Sequence, residues 1–335
     1  MIKRIMVVVV LMALCLGLAF ATTSYGFKPV KMGEGMTIRF LAGGPPGGPF
    51  ATVVVNGARQ AAHDLGAKLE VVWSDWSVED MIIDFKEAVA ANPDGIVVYG
   101  YAGEDAGGPI IDEAVSKGIT VTSINTNFPT YEKKYGAEGH GWVGAEVYSV
   151  GLKLGEYVVR ELGLGEGDRA LVYGVLKLGV PGRGERTVAC IDALEKAGVT
   201  VDYIEISDAV NADPTLGTPV IAAYIAAHPD VDLIITDHGG LTATLPTYFK
   251  AAGVKPGEIA GAGFDPTPAA AEGIREGYIL AVWDQQQFLH GYLSVLQICL
   301  ARKFKFSGLH IDTGAGVVNA ANVEVLATLA DAGIR

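Results

Sequence analysis

The sequence predicts an α/β protein of two doubly wound lobes, each a parallel sheet covered by helices on both faces. Three observations point there. From Thr37 onward, short apolar runs alternate with longer segments of helical period, and such alternation implies crossovers between parallel strands. The second half then repeats the grammar of the first, down to Ala91-Asn92-Pro93-Asp94 and Ala227-His228-Pro229-Asp230, each ahead of an apolar strand. The period is too long for a solenoid, so the repeat reads as two related lobes. Finally, the chain has 335 residues, 50% of them hydrophobic and 19% charged, with 44 glycines. That suits two globular domains and excludes disorder, collagen and a coiled coil.

Taken in order, the first lobe opens with a strand at Thr37–Ala42, a short apolar run. A helix at Ala51–Leu65 follows, ended by Gly66, then a strand at Lys68–Trp73. Val78–Ala91 has helical period, Gly95–Tyr99 is an apolar strand, Pro109–Lys117 is a helix ended by Gly118, and Thr120–Ile124 is a strand. The second lobe runs in parallel: strand Arg169–Tyr173, helix Glu185–Lys196, strand Val199–Ile206, helix Pro219–Ala227 and strand Val231–Thr236. Helix Leu241–Ala252 and strand Ile259–Gly263 complete it, and Gly198 and Gly253 stand where Gly66 and Gly118 stood.

Ahead of the first strand the chain reads as an export signal. Lys3 and Arg4 precede the apolar run Met6–Phe20, and Ala19-Phe20-Ala21 places small residues where a signal peptidase reads. The run is short for a membrane-spanning helix, and Leu14 ahead of Cys15 is not the small residue that a lipidation signal requires. Residues 1–21 are therefore expected to be removed near Ala21, with 22–36 as a linker. The full chain carries 25 basic against 38 acidic residues, a formal charge of −13; loss of Lys3 and Arg4 leaves 23 against 38, or −15. No basic patch opposes that charge, which argues against nucleic acid as a partner. Cys190 and Cys299 are expected in different lobes, too few for a disulfide framework.

In parallel sheets of this kind, ligands bind at the carboxyl ends of the strands. In the first half those ends carry Gly43 to Phe50, Ser74 to Trp76, Tyr99 to Tyr101, and Asn125. In the second they carry Leu178 to Arg186, Asp237-His238 and Phe264-Asp265. Two lobes facing each other across these edges would enclose one polar, aromatic cleft.

At these segments the chain resembles the periplasmic sugar-binding proteins of ABC transporters, the type I, ribose- and galactose-binding group. The similarity extends from about Met36 onward. It is carried by Gly48-Pro49-Phe50, by Asn125, and by Gly179-Val180-Pro181-Gly182-Arg183-Gly184-Glu185-Arg186. Asp237, Gly263-Phe264-Asp265 and Asp284-Gln285-Gln286-Gln287 with Gly291 complete it. The resemblance implies a neutral monosaccharide, pentose or hexose, held by Phe50, Asn125, Arg186, Asp237, Asp265 and Gln285, with Gly48, Trp76, Tyr101, Gly182 and Asp284 as further contacts. It also implies a three-segment hinge near Tyr131, Asp284 and Thr313, with one lobe of residues 37–133 plus 286–312 and another of 134–285 plus 313–335. A permease in the inner membrane is the implied partner, a chemoreceptor a further one, and the chain a monomer in the periplasm. Thr126 after Asn125, where ribose binders often carry arginine, and Ala51 after Phe50 point away from ribose.

The chemistry of such a site follows from the ligand. Sugar hydroxyls both donate and accept, so carboxylates, amides and a guanidinium complement them, while an aromatic ring covers the apolar C–H face. Phe50 would cover one face and Trp76, Tyr99, Tyr101 or Trp283 the other. Asp265 could instead cap the segment Thr267–Glu272. Nucleosides, small polyols and the furanosyl signal autoinducer-2 are the rival ligands. Catalysis has little support: no G-x-S-x-G, H-E-x-x-H or C-x-x-C occurs, and Gly43–Gly48 ends in Pro-Phe rather than the Lys-Ser/Thr of a phosphate loop. A secreted carbohydrate-active enzyme using Asp237 and Asp265 remains the alternative of another class. No cofactor or metal is expected.

Overall fold

The computed structural model describes residues 29–176 and 182–335, and a compact unit runs from Met32 to Arg335. The export signal, Cys15, the cleavage position at Ala21 and Gly179-Val180-Pro181 lie outside the described residues. The last residues of the expected linker are part of the fold: Gly33 N donates to the Leu65 carbonyl at 2.8 Å, and Lys68 N donates to the Met36 carbonyl at 2.9 Å.

The first lobe holds β1 (Thr37–Leu41), α1 (Pro49–Leu65), β2 (Lys68–Val72), α2 (Val78–Ala90), β3 (Gly95–Tyr99), α3 (Gly103–Ser116), β4 (Thr120–Ile124), α4 (Pro129–Tyr135) and β5 (Gly141–Gly144). The second holds α5 (Val147–Leu162), β6 (Arg169–Gly174), α6 (Arg183–Lys196), β7 (Thr200–Glu205), α7 (Asp208–Ala212), α8 (Thr218–Ala227), β8 (Val231–Thr236), α9 (Gly239–Ala251), β9 (Ala260–Phe264), α10 (Pro268–Arg275) and β10 (Ile279–Asp284). The chain then returns to the first lobe with α11 (Gln287–Phe304) and β11 (His310–Asp312), and to the second with β12 (Gly316–Asn319) and α12 (Val323–Asp331).

The strand orders are β11-β5-β4-β3-β1-β2 and β12-β10-β9-β8-β6-β7. Every pairing in the first sheet is parallel, and in the second only β12 runs antiparallel, against β10. Central strands β3 and β4 are buried at every residue while edge strand β2 is half-buried, as a sheet covered on both faces requires. Four hydrophobic clusters fill the interior, two in each lobe.

Local signals place the elements. Ser77 caps α2, accepting from Asp80 N at 3.2 Å, and Thr267 caps α10, accepting from Ala270 N at 3.1 Å. The glycines after four helices, Gly66, Gly118, Gly198 and Gly253, all take positive φ, the conformation glycine adopts without a Cβ penalty. Helices α1 and α11 cross in backbone contact because both partners are glycine there. A methyl on Gly57 would collide with the Phe288 carbonyl, and one on Gly291 with the Val54 carbonyl.

The first crossing differs from expectation. Residues 134–144 are expected in the second lobe, yet Gly141–Gly144 pairs with β4 as a fifth strand of the first sheet, with Thr122 opposite Gly141. The crossing therefore follows Gly144 rather than Tyr131. Four residues rich in glycine carry too little alternation to read as a strand. The other crossings lie between Asp284 and Gln287 and between Asp312 and Gly316. Cys190 and Cys299 are free thiols buried in the cores of different lobes, and burial pushes them up to about 12 and about 11.

Candidate functional site

The carboxyl ends of both sheets open on a cleft of about 590 Å³. Four aromatic rings shape its first-lobe wall. Phe50, in the first turn of α1, stands 6.1 Å from Trp76 between ring centroids, and Trp76 stands 5.6 Å from Tyr101. Tyr99 lies behind them, fully buried, with its ring 5.7 Å from both Trp76 and Tyr101. Trp76 can fold over the first loop because Gly44 has no side chain; a methyl there would enter the indole. Phe50, Trp76, Tyr101 and Gly48 all line the cleft. Burial pushes the Tyr101 phenol up to about 12, so it stays protonated.

Two polar residues close the fourth strand of each lobe. Asn125 follows β4 with φ 60 and Asp265 follows β9 with φ 65, left-handed positions that Asn and Asp tolerate better than other side chains. Both line the cleft. Asp265 is held firmly: Oδ1 accepts from Gln285 Nε2 at 2.6 Å and from Gln287 Nε2 at 2.9 Å, while Oδ2 accepts from Gly239 N at 3.2 Å. The last bond satisfies a free amide at the start of α9, so Asp265 caps that helix, and Thr267 caps α10 in its place. Gln285 and Gln287 line the cleft beside it, and the buried Gln287 Oε1 has no partner among the described residues.

Opposite stands the first turn of α6. Close packing of α5 on α6 places it, since a methyl on Gly151 would collide with the Arg186 carbonyl. Arg186 is buried, its guanidinium stacks 4.3 Å from the Phe264 ring centroid, and Nη2 donates to the Asp237 carbonyl oxygen. Its buried Nε has no partner among the described residues. Gly182, with φ 89, lines the cleft just ahead of it.

Two expected contacts are corrected. Asp237 does not line the cleft. Its carboxylate is 1% exposed, and Oδ2 accepts from Arg183 Nε at 3.0 Å and Nη2 at 2.7 Å, with Oδ1 2.7 Å from His238 Nδ1. Burial opposes its charge, but Arg183, His238 and Arg186 outweigh it and hold the carboxyl well below its usual range. Asp284 is likewise absent from the lining: Oδ2 takes Arg335 Nη1 at 2.6 Å and Oδ1 takes Gln286 N at 2.7 Å. Burial raises its pKa despite Arg335. Trp283 also belongs to a core, donating from Nε1 to the Gly314 carbonyl at 3.2 Å.

Arg183 and His238, which stand in the strand-end segments but are not among the expected ligand contacts, do line the cleft. Arg183 lies three residues before Arg186, hence on the same helix face, and that spacing was the available signal. Its Nη1 donates to Asn211 Oδ1 at 2.9 Å, so three hydrogen bonds, two to Asp237 and one to Asn211, lock the fork. Burial and Arg183 lower the pKa of His238, against the opposing pull of Asp237. Nδ1 of His238 lies 2.7 Å from Asp237 Oδ1 and 2.9 Å from Arg183 Nη2, so it donates to the carboxylate or accepts from the guanidinium, but not both at once. Among the described residues no group of three or more His, Cys, Asp or Glu side chains could hold a metal, and no helix is long and apolar enough to cross a membrane.

A family model described as a periplasmic binding protein domain matches residues 41–303. A protein named xylose/arabinose-binding protein XylF, from Sulfolobus acidocaldarius, is 25% identical over 289 residues, covering 82% of this chain and 69% of that protein. A D-ribose/D-allose-binding protein of Pseudomonas aeruginosa is 24% identical over 66% of each chain. Among solved structures, a carbohydrate transporter of Acidothermus cellulolyticus in complex with myo-inositol aligns with a TM-score of 0.73 at 23% identity, over 90% of this chain and 99% of that one. A solute-binding protein of Burkholderia graminis in complex with D-arabinose aligns at 0.74 and 20% identity, over 88% and 98%. These two alignments establish the shared fold.

Proposed function

The chain belongs to the periplasmic binding protein family, and from that premise we propose that it captures a neutral monosaccharide, a pentose or hexose, in the inter-lobe cleft and delivers it to the membrane permease of an ABC importer. The exported, periplasmic chain acts as a monomer after its signal is removed near Ala21. One observation carries the reading: an aromatic wall of Phe50, Trp76 and Tyr101 shares the cleft with Asn125, Arg186, Asp265 and Gln285. A ring with an apolar face and a polar rim is the complement of such a site.

Charge supports a neutral ligand. Arg183 is cancelled by Asp237, and Arg186 is matched by Asp265, so neither an anion nor a cation finds an uncompensated partner among these four groups. The names of the relatives, xylose/arabinose-binding and D-ribose/D-allose-binding, agree with a polyhydroxyl ligand. A cyclic polyol is the second reading, favoured by the myo-inositol in one structural neighbour.

Calorimetry against pentoses, hexoses, polyols, nucleosides, amino acids and sugar acids tests the proposal. A pentose or hexose is expected to bind most tightly. Tightest binding of myo-inositol would select the second reading, and binding only of an acid or an amino acid would overturn both.

A further inference from the structure

A second surface lies far from the cleft. Helix α11 starts at Gln287 in the cleft wall, and its 18 residues carry the chain about 27 Å to the opposite pole of the first lobe at ~1.5 Å per residue. There Lys303, Phe304, Lys305, Phe306 and Ser307 are exposed in unbroken succession. Phe304 is 41% exposed, Phe306 57% and nearby Leu309 50%, values that make this an apolar patch rather than a core edge. The two phenyl centroids are 6.1 Å apart. Lys305 ends the helix at φ 61, a left-handed position that glycine or asparagine usually fills, and the turn carries Phe306 outward.

The charges here differ from those around them. Arg302 is occupied, with Nη2 3.1 Å from Asp94 Oδ1 and Nη1 2.6 Å from the Gly118 carbonyl. No ion pair of Lys303 or Lys305 occurs among the described residues. Exposed Lys133 and Glu138 flank the patch on the segment that meets Gly308. The alternating Lys-Phe-Lys-Phe run carries only two lysines, too few to stand out as a basic patch in the sequence, yet on a chain of net charge −13 it is a small local reversal of sign.

We propose that this patch docks on an anionic phospholipid bilayer. Phenyl rings settle at the headgroup level while lysines meet lipid phosphates, each Lys or Arg near such a surface contributing about 1 kcal/mol. A second copy of the chain is a poorer occupant. Two phenylalanines and a leucine fall short of the roughly 800 Å² per partner that a stable interface buries, and a two-fold contact would set lysine against lysine. The position also fits. The chain enters the fold at this pole, where Thr37 N and Arg302 share Asp94, and the cleft lies at the other end of α11. Docking here leaves the cleft free.

Residues 32–335 contain both sheets and all four cores, so a chain beginning at Met32 retains the fold and removes the apolar leader from the measurement. Sedimentation with vesicles of phosphatidylcholine containing phosphatidylglycerol should capture it, phosphatidylcholine alone should not, and salt should release it. Lys303→Gln/Lys305→Gln should weaken capture roughly thirtyfold, and Phe304→Ser/Phe306→Ser about tenfold, with an unchanged denaturation midpoint. No capture by anionic vesicles, or full capture of both double variants, would overturn the proposal. So would a concentration-dependent dimer dissolved by Phe304→Ser/Phe306→Ser, which assigns the patch to a second copy.

Discussion

Asp265 is the residue on which the polar side of the cleft converges: two glutamines and the amide at the head of α9 fix its carboxylate before any ligand arrives. A hydrogen bond to a charged group contributes about 1.5 to 3 kcal/mol, and a partner left unsatisfied adds to the loss. Asp265→Ala and Arg186→Ala should therefore each weaken ligand binding by roughly 2 to 4 kcal/mol, about thirtyfold to a thousandfold by calorimetry. Full affinity in both variants would remove these side chains from the site. Arg183 and Asp237 act differently. Asp237 is buried and Arg183 nearly so, so Arg183→Ala strands a buried carboxylate. It should cost about 3 kcal/mol in urea unfolding. The folded pKa of Asp237 is depressed, so its contribution is present above the unfolded carboxyl value and lost as pH falls through the folded one. The acid limb of the stability curve should flatten in Arg183→Ala. His310 gives the opposite sign. Nδ1 lies 2.9 Å from Glu132 Oε1 and Nε2 2.7 Å from Glu146 Oε1, over the Trp142 ring. Burial disfavours its charge, but Glu146 and Glu132 outweigh burial and raise the pKa. Its stabilisation is complete below about 6.5, the unfolded value, and is lost as pH rises through the folded one. An NMR titration of His310 that falls at or below the unfolded value would refute this.

At the scale of elements, helix contacts set by glycine place both halves of the cleft. α1 presents Phe50 and meets α11 through Gly57 and Gly291, while α6 presents Arg183 and Arg186 and meets α5 at Gly151. In each case the neighbouring group is backbone, which cannot swing aside as a side chain would. Gly57→Ala must push α1 and α11 apart, and overpacking of this kind costs about 1 to 3 kcal/mol. Thermal unfolding of Gly57→Ala should show that loss, with a secondary weakening of ligand binding as Phe50 shifts. An unchanged melting temperature would mean the helices already have room.

Across the whole molecule, three crossings join the lobes, after Gly144, after Asp284 and after Asp312. Few segments span the gap, so rotation of one lobe on the other disturbs little packing. Ligand should draw the lobes together, lowering the radius of gyration in solution scattering and perturbing the fluorescence of Trp76, which is 38% exposed at the cleft. A scattering curve unaltered at saturating ligand would leave the lobes rigid.

Much of this was legible without coordinates. Alternating apolar runs and helical segments determine a parallel α/β lobe because burial on both faces demands them, and the repeated Asn/His-Pro-Asp turns and helix-ending glycines mark its second copy. Strand ends then nominate Phe50, Trp76, Tyr101, Asn125, Arg186 and Asp265, and the family resemblance adds Gln285; all of them line the cleft, because position along a strand is a property of the chain. Direction and partnership are not. Asp237 sits at a strand end yet spends both oxygens on Arg183 and His238, and Asp284 ends a strand yet turns to Arg335. Gly141–Gly144 becomes a strand only because β4 and β11 bond it from either side. Which carboxylate faces the cleft is decided by which cation reaches it first, and partners 54 residues away along the chain, as Arg183 and Asp237 are, meet only in the tertiary structure.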